Sequence, residues 1–171
     1  MTLALTLNER LALRNQYEIL HRLEPGGGWD KKREIVERGW TMDYASLVEV
    51  LSDELSPEDC SKVVDILDLY SALQSALSAL EDKTGIEPRH TLFPGFDGND
   101  AHECRLMAYA RFLERDGRFV HVKRRPGAEN FNGHHRYLEQ YDQMLEAWIP
   151  LGKIHELSRE QIQSLIAAGE G

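Results

Sequence analysis

Ser56-Pro57-Glu58-Asp59 opens the longest uninterrupted helical pattern in the 171-residue sequence. Serine caps, proline fits the first helical position, and two acids meet the positive end of the helix dipole. Apolar residues then return at helical spacing (Cys60, Val63, Val64, Leu67, Tyr70, Leu73, Leu77, Leu80) to about Lys83, and Gly85 closes the run. At about 1.5 Å per residue this helix is roughly 40 Å long, longer than one small core needs. Its second half carries Ser71, Ala72, Ser75, Ala76, Ser78 and Ala79, whose small side chains let another helix approach closely. The pattern predicts the spine of the domain and a surface for self-association.

The remaining segments repeat the theme of capped starts and glycine or proline stops. Thr6-Leu7-Asn8-Glu9 has the form of a capping box, and the helix after it places Leu13, Tyr17 and Leu20 on one face, with Ile19 and Leu23 widening that face. Pro25-Gly26-Gly27-Gly28 ends it. A short charged helix from Asp30 to Arg38 stops at Gly39, and a third helix carries Tyr44, Leu47, Val48 and Leu51 at helical spacing. Residues 85–99 contain Pro88, Pro94, Gly95 and Gly98 but also Ile86, Leu92, Phe93 and Phe96, which predicts a loop pinned to the core. Asp100 to Glu103 offers a second capping box before a helix with Leu106, Tyr109, Ala110 and Leu113. Residues 118–123 alternate as a short extended segment would. Tyr137, Tyr141, Met144, Leu145 and Trp148 mark the next helix, and Ser158-Arg159-Glu160-Gln161 caps the last, with Ile162, Leu165 and Ile166. Seven helices and almost no strand make an all-α single domain over 1–171, a bundle around one long central helix, with 1–6 as an N-terminal arm and 167–171 as a flexible tail.

Composition removes several function classes. With 42% hydrophobic and 29% charged residues the chain is globular. Its 20 Lys+Arg against 29 Asp+Glu leave a net charge of −9, which argues against nucleic acid or an anionic membrane as partner. The N-terminal apolar stretch is too short for a signal peptide, and no apolar run reaches membrane-spanning length. Cys60 and Cys104 form no scaffold, so reduced thiols and a cytoplasmic location are expected. Charge is also uneven: acids crowd between Met42 and Leu69 around a single base, Lys62, while Arg111, Arg115, Arg118, Lys123, Arg124 and Arg125 form a basic stretch.

Candidate chemistry is sparse. His90, His102, His121, His134 and His135 lie in the second half, but neither His-x-x-x-His nor His-x-His occurs, so no metal and no cofactor is expected. The turn Gly95 to Asp100 has oxygen-bearing side chains suited to a hard cation, yet it departs from the EF-hand pattern; Asp97 bracing the turn and Asp100 capping the next helix account for it. Gly26-Gly27-Gly28 lacks the lysine and hydroxyl of a phosphate loop. Cys104, near a helix start and beside Arg105, is the more reactive thiol candidate. One polar set lies off the apolar stripes: Arg38, Asp97, Glu103, Arg111, Arg118, His121 and Asn132. These residues could line one pocket with acid, base and anion clamp, or fasten the irregular loops to the helices as a hydrogen-bond network.

Asn15-Gln16-Tyr17, Glu37-Arg38-Gly39, Cys60, Asp65-Ile66, Gly95-Phe96-Asp97, Arg111-Phe112, Gly117-Arg118, His121, Phe131-Asn132, Met144-Leu145 and Trp148 stand in an order and spacing that resembles the YfbU family of bacterial proteins. The similarity runs from about Leu7 to Ile166. It implies a mostly helical, bacterial, cytoplasmic protein and supplies no reaction. The function expected is therefore a homo-oligomeric helical interaction or regulatory protein, with salt-sensitive association of the acidic and basic patches. The alternatives are an enzyme or small-ligand binder built on Asp97, Glu103, Arg111, Arg118 and His121, and a nucleic-acid-linked regulator using the helices between Asp43 and Lys83 as a helix-turn-helix.

Overall fold

The computed structural model describes residues 3–170. Met1 and Thr2 of the expected arm, and Gly171 of the expected tail, lie outside them. Among the described residues, six α-helices and one seven-residue 3-10 helix make up seven helical segments, joined by three shorter 3-10 turns. No strand occurs among the described residues; two isolated parallel bridges, Phe93 with Arg124 and Phe96 with Asn132, are the extended pairing present. The chain is all-α. Its contacts divide into two compact units, Met1–Glu54 and Leu55–Gly171, each with its own core.

In the first unit, α1 (Leu7–Leu23) starts on the complete Thr6–Glu9 capping box. It packs against α2 (Trp29–Arg38), which stops where Gly39 takes φ 72. Tyr17, Ile35, Val36, Tyr44 and Leu47 are the buried core, with Leu3, Leu5, Leu13, Leu20 and Trp29 packed around them. Residues 3–6 are thus attached to the unit through Leu3 and Leu5. Arg10 ties the two helices by donating to the carbonyls of Val36 at 2.7 Å and Glu37 at 2.9 Å.

Two expectations change here. Ile19 and Leu23 do not widen the buried face of α1: both are exposed, because α2 covers one side of α1 and the i+4 row through these residues turns away from it. The third helix is 3-10, Thr41–Leu47, and the chain after it is turn. In that geometry only Tyr44 and Leu47, three apart, share a face and are buried, while Val48 and Leu51 are exposed. Ser46 donates from its hydroxyl to the Asp43 carbonyl at 2.7 Å, a local bond that competes with α-helical pairing.

In the second unit, α3 (Pro57–Ala79) starts on Ser56, whose hydroxyl accepts the Asp59 amide at 3.0 Å. Its 23 residues span about 35 Å, one turn less than the sequence predicts. Leu80 is already extended, and Asp82 draws the chain outward by accepting the Thr84 amide at 2.9 Å. The helix packs against α4 (Ala101–Arg115), α5 (Leu138–Trp148) and α6 (Arg159–Ala168), the last starting on the predicted Ser158 capping box. Ala167 and Ala168, placed in the tail by the sequence, belong to α6. Of the small residues of α3, Ser71, Ala72 and Ala76 are buried within the unit and Ser75, Ser78 and Ala79 are exposed. Phe93 sits among Tyr70, Phe96, Phe131 and Tyr141 with ring centroids 5.3–5.9 Å apart, so the loops are held by aromatic side chains inserted into the helical core. No helix among the described residues is long and apolar enough to cross a membrane.

Candidate functional site

The polar set divides by position. Asp97, Glu103 and Asn132 meet around the turn before α4. Glu103, 3% exposed, accepts the Asp97 amide at 2.8 Å. Asp97 in turn accepts from the Asn99 amide and side chain, and Asn132 accepts the amides of Gly98 and His134, each at 3.1 Å. Arg111 joins them at one remove, donating to the Asn130 carbonyl at 2.6 Å. Arg118 instead pairs with Asp116 at 3.1 Å beside the Phe112 ring, and Arg38 lies in the other unit near Glu34. Asp97, Glu103, Arg111 and Asn132 use their polar atoms on loop backbone, the arrangement of a fastening network.

The second capping box is only half formed. Asp100 accepts the amides of His102 and Glu103, both at 2.9 Å, but the Glu103 carboxylate passes the cap and reaches Asp97. Those amides, first that of Glu103, together with the Arg136 guanidinium at 2.7 Å, hold the Asp100 carboxyl below its usual range. A carboxyl lowered by folding contributes stability that is complete above the unfolded value, about 3.9, and is lost as pH falls through the folded one. Asn caps a helix nearly as well as Asp and does not titrate. In thermal melts, the advantage of the wild type over Asp100→Asn should therefore be constant near neutrality, shrink below about pH 4, and vanish at the acid end. An advantage that does not change with pH would contradict this.

His121 is placed where the sequence offered no hint. Its Nε2 lies 2.7 Å from the Ser71 Oγ, joining a loop to α3 across 50 residues of chain. A serine and a histidine at that distance are two members of a nucleophile relay. Among the described residues no carboxylate pairs with His121, and Ser71 is buried, so the contact serves to dock the loop. The acidic patch finds partners within its own unit: Lys153 pairs with Asp65 at 2.7 Å, and ring nitrogens of His102 and His155 lie 3.1 Å from the carboxylates of Asp59 and Asp68. Glu114 does the same for Arg124 of the basic stretch, at 2.6 Å. No group of three or more His, Cys, Asp or Glu among the described residues could hold a metal ion. A helix-turn-helix between Asp43 and Lys83 would need two α-helices, and its first segment is 3-10.

The surface that stands out is apolar. Among the described residues nine of the fourteen exposed large apolar side chains belong to the first unit, less than a third of the chain. Leu7, Leu11, Ile19 and Leu23, 77%, 60%, 58% and 78% exposed, form with Asn15 a single i+4 row along α1. That row is centred opposite the buried Tyr17. Trp40, Met42, Val48, Val50 and Leu51 add a second exposed apolar stretch. A groove of about 290 Å³ runs beside the start of the α1 row, between Leu7, Leu11 and Val36. The apolar periodicity of α1 already held this information, but its exposed row is visible only once α2 is known to cover the other side. A family model described as the YfbU domain matches residues 3–168.

Proposed function

Because the chain belongs to the YfbU family, which brings a fold and no reaction, we propose from its surface that it is a homo-oligomeric helical interaction protein. The observation that carries this reading is the exposed apolar surface between Leu7 and Leu51. Solvent-exposed leucines and isoleucines scattered singly are ordinary, but a continuous row on a helix is the pattern of an association surface. Among its described residues the same unit has five buried apolar side chains. Small cores of that kind gain stability by burying further apolar area against another chain.

Since several charges of the acidic and basic patches already pair within residues 55–171, the driving force proposed is apolar burial. Ion pairs between exposed groups are screened at high salt, where the Debye length falls to about 3 Å, whereas apolar burial is not weakened. Sedimentation velocity of the full chain at low micromolar concentration should show a dimer or larger species that persists in molar sodium chloride. A monomer at every concentration would overturn the reading.

A further inference from the structure

We propose that the groove between α3 and α5 receives the Phe112 ridge of a second copy, with the Phe112 ring against its apolar lining and Arg115 and Arg118 against its carboxylates. The inference rests on the self-association reading and adds a contact within residues 55–171, separate from the apolar surface between Leu7 and Leu51. The groove has a volume of about 560 Å³, and its apolar lining is the buried Leu145 and the half-exposed Ile149. Its charged lining comes from both helices. Lys62 of α3 pairs with Asp142 of α5 at 2.9 Å, and Asp65 of α3 with Lys153 at 2.7 Å. Glu58 on α3 and Glu146 on α5 are exposed and have no partner among the described residues. An apolar hollow thus carries one uncompensated carboxylate on each wall. The occupant that complements it is an apolar side chain flanked by two cations.

Such a group stands on the same unit. Phe112 of α4 is 47% exposed, and Tyr109, one turn earlier, stacks on it with ring centroids 6.1 Å apart and planes 17° from parallel. Arg115 is three residues further along the same helix, where i and i+3 side chains are neighbours. It is exposed and has no partner among the described residues. The Arg118 guanidinium lies over the Phe112 ring, 6.0 Å from its centroid. Its ion pair with Asp116 joins groups 46% and 53% exposed, a surface pair of little worth that can be exchanged for another carboxylate. The net charge of −9 makes two copies repel at long range, so a contact between them has to set opposite charges together. A second copy answers both features at once: it brings a ridge for this groove and a groove for this ridge, the self-complementarity that a symmetric interface requires.

The test uses two full-length charge-reversed variants, one at the ridge (Arg115→Glu with Arg118→Glu) and one at the groove (Glu58→Lys with Glu146→Lys). Each is labelled with a fluorophore and titrated against itself and against the other in dilute salt. All four sites are exposed, so circular dichroism should match the wild type. Alone, the ridge variant sets acid against acid and the groove variant base against base, so self-association should weaken at least about tenfold. Mixed, every ridge meets a groove of opposite sign, and the two should bind about as tightly as wild-type copies bind each other. Neither variant alters the surface between Leu7 and Leu51, so association through that surface is common to all pairings. The difference between mixed and self pairings therefore isolates the new contact, and it should shrink in molar sodium chloride. Equal affinities in every pairing, or a mixture that fails to recover binding, would overturn the proposal and leave self-association standing. A wild type that does not associate at all removes the underlying reading as well. Phe112→Ala, in an otherwise unchanged chain, should weaken self-association about fivefold, as expected for an aromatic anchor. An unchanged dissociation constant would mean that the ring is not seated in the groove.

Discussion

Chemical denaturation of the Phe93→Ala variant should show residues 55–171 destabilised by about 3–5 kcal/mol, the range for emptying a fully buried aromatic site. Phe93 is 0% exposed and touches Tyr70, Phe96, Phe131 and Tyr141. The neighbours cannot close the cavity easily. Tyr141 is fixed by the hydrogen bond its hydroxyl donates to the Gly95 carbonyl, and Tyr70 by its contact with the Met144 sulfur at 3.8 Å. Burial raises the pKa of both phenols above the usual tyrosine range, so both remain neutral donors across the working pH. For a chain of this size about 2–4 °C of melting temperature accompanies each kcal/mol, so a drop of about 10 °C is expected. The bonds from the Phe93 amide to Lys123 and from the Arg125 amide to Phe93 survive the substitution, so the loop should loosen without detaching. A shift of only a degree or two would mean that the aromatic cluster is not what holds the loops.

Gly95→Ala should cost about 3 kcal/mol by a different route. Gly95 has φ +96, a conformation L side chains rarely adopt, and a Cβ there would lie 2.6 Å from the Gly133 nitrogen and 2.8 Å from the Phe131 oxygen. Those obstacles are backbone and cannot rotate away. The bonds from the Phe96 amide to Phe131 and from the Gly133 amide to Phe96, both 2.8 Å, hold the two strips of chain at this distance. Gly117→Ala separates strain from collision. Gly117 has φ +83 but nothing within 4 Å of its added Cβ, so only the conformational cost, about 1–2 kcal/mol, should appear. Equal losses in the two variants would show that the close approach at Gly95 carries no weight.

These two sites show where the sequence could be read and where it could not. Phe93, Pro94, Gly95 and Phe96 announce a loop attached to the core, because apolar residues among helix breakers must be buried without being helical. The partners, however, come from 131–133 and 141, dozens of residues away. The same division runs through the polar set: Asp97 and Asp100 accept amides within three residues of themselves, as their turn and cap chemistry predicts, while the Arg136 partner of Asp100 comes from far along the chain. Glu103 reads as the far half of a capping box, and it is the position of the Asp97 amide in the folded loop that takes its carboxylate instead. Arg118 and His121 look equivalent to the others on paper, yet take other partners because different segments carry them, and Arg38 belongs to the other unit.

By itself the sequence determined that the chain is helical, where four of its helices begin, and that the 85–99 loop is anchored. Caps at Thr6, Ser56, Asp100 and Ser158 work through bonds spanning two or three residues, so they need no tertiary context. Only the tertiary structure decided that Ser71 meets His121 and that the row from Leu7 to Leu23 is exposed. Each of these depends on which side of an element its neighbours cover. Periodicity shows that a helix has apolar residues, but the packing of α2 against α1 determines which of them stay exposed.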